Sequence, residues 1–119
     1  MRSEPRTHHP ELTAGRWRSL SLMEQLANTG SEVERALKWA AQGNAEYSAS
    51  PVDRALELFD LTVADPKNRG RLKELTRLRE ALVDYFFCSN EYGSSPEAWL
   101  RYFHAFGMGA AIRRQAAPV

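Results

Sequence analysis

Apolar residues along this chain recur at helical spacing, and four stretches carry a one-sided pattern. In the first, Leu22, Met23, Leu26, Gly30, Val33, Leu37 and Ala40 fall in a sector about 100° wide on a helical projection. Ser21-Leu-Met-Glu24 has the spacing of a capping box, in which the serine oxygen accepts a free backbone N–H and the glutamate reaches back to the cap. The pattern predicts a helix from Ser21 to about Ala41, ended by Gly43-Asn44. Gly30 lies inside the apolar stripe, where glycine costs about 1 kcal/mol relative to alanine. Its expected use is close approach of a neighbouring helix. Ser50-Pro51-Val-Asp53 predicts a second start, with cap serine, proline at the first helical position and a carboxylate in the first turn. Val52, Ala55, Leu56, Phe59, Thr62 and Val63 form its inner face, and Asp65-Pro66 stops it.

A basic turn, Lys67 to Gly70, leads to a third predicted helix from Arg71 to Phe87, with Leu72, Leu75, Leu78, Leu82 and Phe86 at spacings of three and four. A loop follows over 89–93. Ser95-Pro96-Glu97 repeats the serine–proline start, and the fourth helix is expected to run to about Arg113. Trp99, Phe103, Phe106 and Ala110 make its stripe, Tyr102 stands at the edge, and Gly107 and Gly109 weaken its second half. No segment alternates as a strand would. These patterns predict an all-α chain, an antiparallel four-helix bundle over 14–114. Residues 1–13 are polar with two prolines and read as a disordered arm, and 115–119 as a frayed tail. Trp17 and Leu20 are expected to be the first side chains docked on the core.

A chain of 119 residues accommodates one core and not two full-sized ones. A formal net charge of +1 excludes a globally basic nucleic-acid binder, though not a local patch. The single cysteine, Cys88, excludes an intrachain disulfide and a cysteine-based zinc site; closing an apolar helix, it reads as a buried structural thiol. No apolar run reaches the roughly 18 residues of a membrane span, and no apolar segment follows the basic N-terminus as in a secretory leader, so the cytoplasm is the expected location.

Candidate chemistry is sparse. No Glu-x-x-His pair of a bundle metal site occurs. Asp53, Glu57 and Asp60 share a helical face turned away from the apolar stripe, which reads as a solvated acidic surface. His104 lies opposite Trp99 and Phe106, near Glu97 and Arg101, and reads as a solvated histidine. Phosphate loops, dinucleotide fingerprints and nucleophile elbows are absent. No catalytic residue, cofactor or metal is expected.

Three features remain. Charge is segregated: residues 22–65 carry three cations against eight carboxylates, and residues 66–80 carry six cations against two. Lys67, Arg69, Arg71, Lys73 and Arg77 are therefore the candidate nucleic-acid contacts, although no aromatic residues are interleaved with them for base stacking. Glu24, Asn28, Glu32, Arg35 and Trp39 form a strip opposite the first apolar stripe, and a tryptophan rimmed by charged and amide groups marks a candidate protein interface. Arg79 falls in the apolar sector of the third helix, where it must be paired or reach the rim, with a carboxylate of the first two helices as expected partner in a structural polar network.

Leu20-Ser-Leu-Met-Glu-Gln-Leu-Ala-Asn-Thr-Gly-Ser-Glu-Val33, Arg54-Ala-Leu-Glu-Leu-Phe-Asp-Leu-Thr62 and Arg71-Leu-Lys-Glu-Leu-Thr-Arg-Leu-Arg-Glu80 together resemble an uncharacterised family of small bacterial helical-bundle proteins. The resemblance spans roughly residues 16–113 and implies no activity. At the level of fold and size alone, the predicted bundle is similar to the four-helix proteins of 23S rRNA intervening sequences and to the accessory bundles of diversity-generating retroelements, which implies an oligomer that handles nucleic acid. The residues themselves lead to the expectation of a non-enzymatic bundle acting through protein contacts as a homo-oligomer. The alternative is a nucleic-acid-binding accessory protein using the basic 67–79 segment.

Overall fold

The computed structural model describes residues 14–116, with side chains described for residues 15–106. The arm expected over 1–13 and residues 117–119 of the expected tail lie outside the described residues, and the side chain of Ala110 of the fourth stripe lies outside the described side chains. All regular structure among the described residues is helical: α1 (Ala14–Arg18), α2 (Leu22–Ala41), α3 (Ala45–Ala64), a 3-10 segment (Pro66–Arg71), α4 (Leu72–Phe87) and α5 (Pro96–Ala116). α2 packs along α3 on one side and α5 on the other, while α4 and α1 lean on α3. Leu26, Val33, Leu37, Ala55, Phe59, Leu75, Leu82, Trp99 and Phe103 join in one buried cluster.

The start of α2 follows its sequence signal. Ser21 Oγ accepts from Glu24 N at 3.1 Å, and Ser21 N donates to Glu24 Oε1 at 2.9 Å. Gly30 is the point where α5 comes closest: a Cβ built there would lie 2.6 Å from Phe103 Cβ. The second helix begins earlier than expected. Asn44 O accepts from both Tyr47 N and Ser48 N at 3.1 Å, and Ser48 Oγ donates to Ala45 O at 2.8 Å. Pro51 thus lies inside α3 and not at its first turn. Its missing N–H leaves the carbonyl of Tyr47 without a helical donor. Ser50, expected as the cap, instead accepts from Arg54 Nη1 at 2.9 Å. α5 continues through Ala116, beyond the expected end near Arg113.

The corner between α3 and α4 is built on a buried polar network. Gln25 Nε2 donates to Asp65 Oδ2 at 2.9 Å and to Trp17 O at 3.0 Å. Asn68 Nδ2 donates to Gln25 Oε1 and Thr62 O, both at 2.9 Å, and Trp17 Nε1 donates to Thr62 Oγ1 at 3.0 Å. Gln25, Thr62, Asp65, Asn68 and Trp17 are all buried, so an unmade bond among them would cost its full desolvation penalty. Burial by itself would raise the Asp65 carboxyl; hydrogen bonds from the Lys67 ammonium, the Gln25 amide and Lys67 N, with the charge of Lys67, outweigh it and hold the group below its ordinary value. Through these contacts α1 and the 3-10 segment are fixed to α2 and α3, which sets where α4 begins. Trp17 docks as expected, from a short helix that the sequence pattern did not predict.

A cation-rimmed groove between α4 and α5

Because α4 leans on α3 and α5 on α2, the two helices leave a groove of about 660 Å³ between them. Leu78 and Ala81 of α4 and Ala98 and Trp99 of α5 supply its apolar lining. Arg71, at the end of the 3-10 segment, and Lys73, Glu74 and Arg77 of α4 line it as well, as do Tyr92, Ser94 and Tyr102. The loop that supplies Tyr92 and Ser94 is shaped locally. Asp84 accepts from Glu91 N at 2.9 Å and Tyr92 N at 3.0 Å. Asn90 takes a left-handed backbone (φ 58°), and its side chain closes on Ser94 N and Ser94 O. Ser95 Oγ then caps α5 through Ala98 N at 3.1 Å, with Pro96 at the first helical position as its sequence indicates.

Within the groove, Glu74 is fully engaged. It accepts from Arg71 Nε at 2.8 Å on Oε1 and from Tyr102 OH at 2.9 Å on Oε2. Burial opposes its ionisation, but the bonds from Arg71 and Tyr102 prevail and keep its carboxyl below the ordinary range. Burial first, then the bond to Glu74, pushes the Tyr102 phenol well above its ordinary value. The Tyr92 hydroxyl donates to Glu80 Oε1 at 3.0 Å, which raises that phenol too. Among the described residues, no carboxylate lies within ion-pair distance of Lys73 or Arg77. Trp99 is 5% exposed, and its Nε1 is buried with no hydrogen-bond partner among the described residues.

The candidate residues of the basic segment are thus divided. Lys67 is tied to Asp65 and Arg71 to Glu74, Arg69 is exposed, and Lys73 and Arg77 remain unpaired at the groove. The absence of interleaved aromatics is a property of the chain order alone. Across the groove, Tyr92, Trp99 and Tyr102 face this segment from a loop and helix about twenty residues downstream. No local signal in the 67–79 segment points to them, although Tyr102 stands at the edge of the α5 stripe.

The α2 strip is largely satisfied within the chain. Glu24 is spent on the cap, and Asn28 Nδ2 donates to Glu24 O at 2.8 Å. Glu32 Oε1 accepts from Arg35 Nη1 at 2.8 Å and Arg54 Nε at 3.1 Å. Trp39 is half-buried with its ring edge-on to Tyr47, at a centroid separation of 5.1 Å, and Tyr47 is exposed. Arg79 pairs with a carboxylate of the second predicted helix: Nε and Nη2 donate to Asp60 at 2.8 and 3.3 Å. The pair lies at the rim, with side chains 35% and 62% exposed, where such contacts contribute at most about 1 kcal/mol. Asp60, on the face it shares with Asp53 and Glu57, thus has a cation of α4 beside it. His104 is exposed, as expected, and its Nε2 lies 3.6 Å from Glu34 of α2. Cys88 is exposed, contrary to the expected buried thiol, because the chain leaves α4 in extended conformation at that residue. No group of three or more His, Cys, Asp or Glu is placed to hold a metal ion among the described residues, and no helix there is long and apolar enough to cross a membrane.

No family model matches the chain, and no curated protein or solved structure is significantly similar to it.

Proposed function

We propose that this chain is a non-enzymatic binding protein, built on an antiparallel four-helix bundle of α2 to α5, whose working surface is the α4–α5 groove. The observation that carries this reading is the convergence of unpaired Lys73 and Arg77 with Tyr92, Trp99 and Tyr102 around an apolar floor. The titratable pair in the groove argues for binding over proton transfer. Glu74 stays ionised and Tyr102 stays protonated near neutral pH, so neither has the poise of a general acid or base. The short connections between α2 and α3 and between α3 and α4 favour the up-down bundle order. A cytoplasmic site of action and membership in the resembling bacterial family belong to the same proposal.

Amide chemical shifts of the labelled protein, recorded during a screen of small acidic and neutral compounds, test it. Hits should move amides within 70–81 and 92–102. Hits that cluster elsewhere, or no hits at all, would move the working surface away from the groove.

A second reading, self-association, is favoured by the half-buried Trp39 and the exposed Tyr47 packed on it, on the side of α2 that bears the Glu24–Trp39 strip. Light scattering at moderate salt should then give a mass above 13.5 kDa that falls when Trp39→Ala and Tyr47→Ala are combined. A monomer at all concentrations ends that reading. Nucleic-acid binding by the basic segment would instead appear as RNA or DNA affinity that falls steeply with salt and is lost on Lys73→Ala with Arg77→Ala.

A further inference from the structure

We propose that the α4–α5 groove takes a small organic anion with a flat apolar body, its acidic group held by Lys73 and Arg77 and its ring lying along Leu78, Ala81, Ala98 and Trp99. This rests on the reading of the groove as the binding surface and adds the class of ligand. Size is the first argument. A volume of about 660 Å³ is that of a pocket for a small molecule. The lining residues of α4 from Lys73 to Ala81 span about 12 Å, but those of α5, Ala98 to Tyr102, span only about 6 Å. A docked helix presenting anchors at i, i+3 or i+4, and i+7 needs about 10 Å of wall on both sides. The groove is therefore too short along α5 to seat a helix, and its shape favours a compact ligand.

Charge is the second argument. Three cations line the groove against one carboxylate, and that carboxylate, Glu74, is already held by Arg71 and Tyr102. The uncommitted charge is positive, on Lys73 and Arg77, and it lies beside apolar surface and not in a polar field. A phosphate-only site would not need the apolar floor, and a neutral lipid-like ligand would leave both cations unused. The third argument is the indole of Trp99. Trp99 borders both this groove and a smaller hollow between α2 and α5, and its N–H has no acceptor in the described chain. That N–H is itself inaccessible, so what Trp99 offers a flat ligand is the ring at the groove wall.

The probe is 8-anilinonaphthalene-1-sulfonate, a fused aromatic ring system bearing one sulfonate. Its neutral counterpart is N-phenyl-1-naphthylamine, the same rings without the sulfonate. Both are titrated by fluorescence into the full-length protein. The sulfonate should bind saturably at one site and at least tenfold more tightly than the amine. Lys73→Gln combined with Arg77→Gln should weaken the sulfonate about tenfold and leave the amine within twofold. Both side chains are exposed, so the helical circular dichroism should be unchanged. If the double variant loses helix, the two single variants, each expected to weaken the sulfonate about threefold, take its place. Ala98→Phe, at an exposed position on the groove wall, should block both probes. Lys38→Gln with Arg101→Gln, two exposed cations elsewhere, should alter neither.

Equal sulfonate affinity in the Lys73–Arg77 variant and the wild type, with Ala98→Phe still blocking both probes, would overturn the anion and leave the groove as a binding surface. Failure of Ala98→Phe to affect either probe would overturn both. Displacement of the sulfonate by a single-stranded RNA oligonucleotide at low salt, but not at high salt, would replace the small anion by nucleic acid.

Discussion

Gly30 shows how one residue records a packing decision. Its apolar neighbours on the α2 stripe could all be larger than a methyl group, yet position 30 carries no side chain. The reason is Phe103, whose Cβ would stand 2.6 Å from an added methyl and cannot swing away as the end of a long side chain could. Gly30→Ala therefore sets two terms of opposite sign against each other. Helix propensity favours alanine by about 1 kcal/mol, and overpacking against α5 costs about 1–3 kcal/mol. The steric term should win, because the contact is with the root of a buried ring, and urea unfolding should show a net loss of about 1 kcal/mol or more. Gly70→Ala, where an added Cβ meets nothing within 4 Å, is the control and should change stability by no more than about 0.5 kcal/mol. Equal effects at the two positions would mean that α5 does not approach α2 as described.

Among the four long helices, α4 has the weakest hold. α2 is flanked by α3 and α5 along its length, whereas α4 has α3 on one side and the open groove on another. Its anchors are Leu75 and Leu82, both nearly inaccessible, while Leu72, Leu78 and Phe86 of the same stripe are only half-buried. The stripe is wider than the surface available to cover it, and one of its half-buried members, Leu78, lines the groove. Local opening free energies should follow this arrangement. Native-state hydrogen exchange is expected to be slowest for amides in the middle of α2 and faster for those in the middle of α4. Protection of α4 equal to that of α2 would show that α4 is clamped on both sides, which the open groove does not allow.

For the whole molecule, two carboxylates, Asp65 at the buried corner and Glu74 in the groove, tie stability to pH. Asp65 and Glu74 have folded-state values below their ordinary ones. A group of that kind stabilises the fold at any pH above its unfolded value, and the contribution is lost as pH falls through the folded value. The melting temperature should therefore drop as pH is lowered below about 4. Asp65→Asn should melt lower than the wild type at pH 7, since it removes the acceptor of the Lys67 ammonium and puts a second amide donor against Gln25. The difference between variant and wild type should narrow as pH falls through the folded-state value of Asp65, where the wild-type carboxyl takes up its proton as well. A constant difference across that range would show that the Asp65 charge contributes nothing to the fold.

Helices and their ends were legible in the chain wherever the determining interactions are local. The Ser21 capping box, the Ser95-Pro96 start, the Asp65-Pro66 stop and the stripes of α2 and α4 each involve residues within a few positions of one another, so spacing alone specifies them. Ser50-Pro51 carries the same local signal as Ser95-Pro96 and was overridden, because bonds from Tyr47 and Ser48 to Asn44, with Tyr47 against Trp39, start the helix earlier. Arg79 had to find a carboxylate, and composition could say so; only packing could choose Asp60, and only the splay of the helices could place the pair at the rim. The buried network and the groove belong wholly to tertiary structure. Gln25 meets Asp65 across 40 residues, and Glu74 meets Tyr102 across 28. Spacing within a helix carries no information about partners on another helix. That is why the basic segment read as lacking aromatic neighbours until the fold laid Tyr92, Trp99 and Tyr102 across from it.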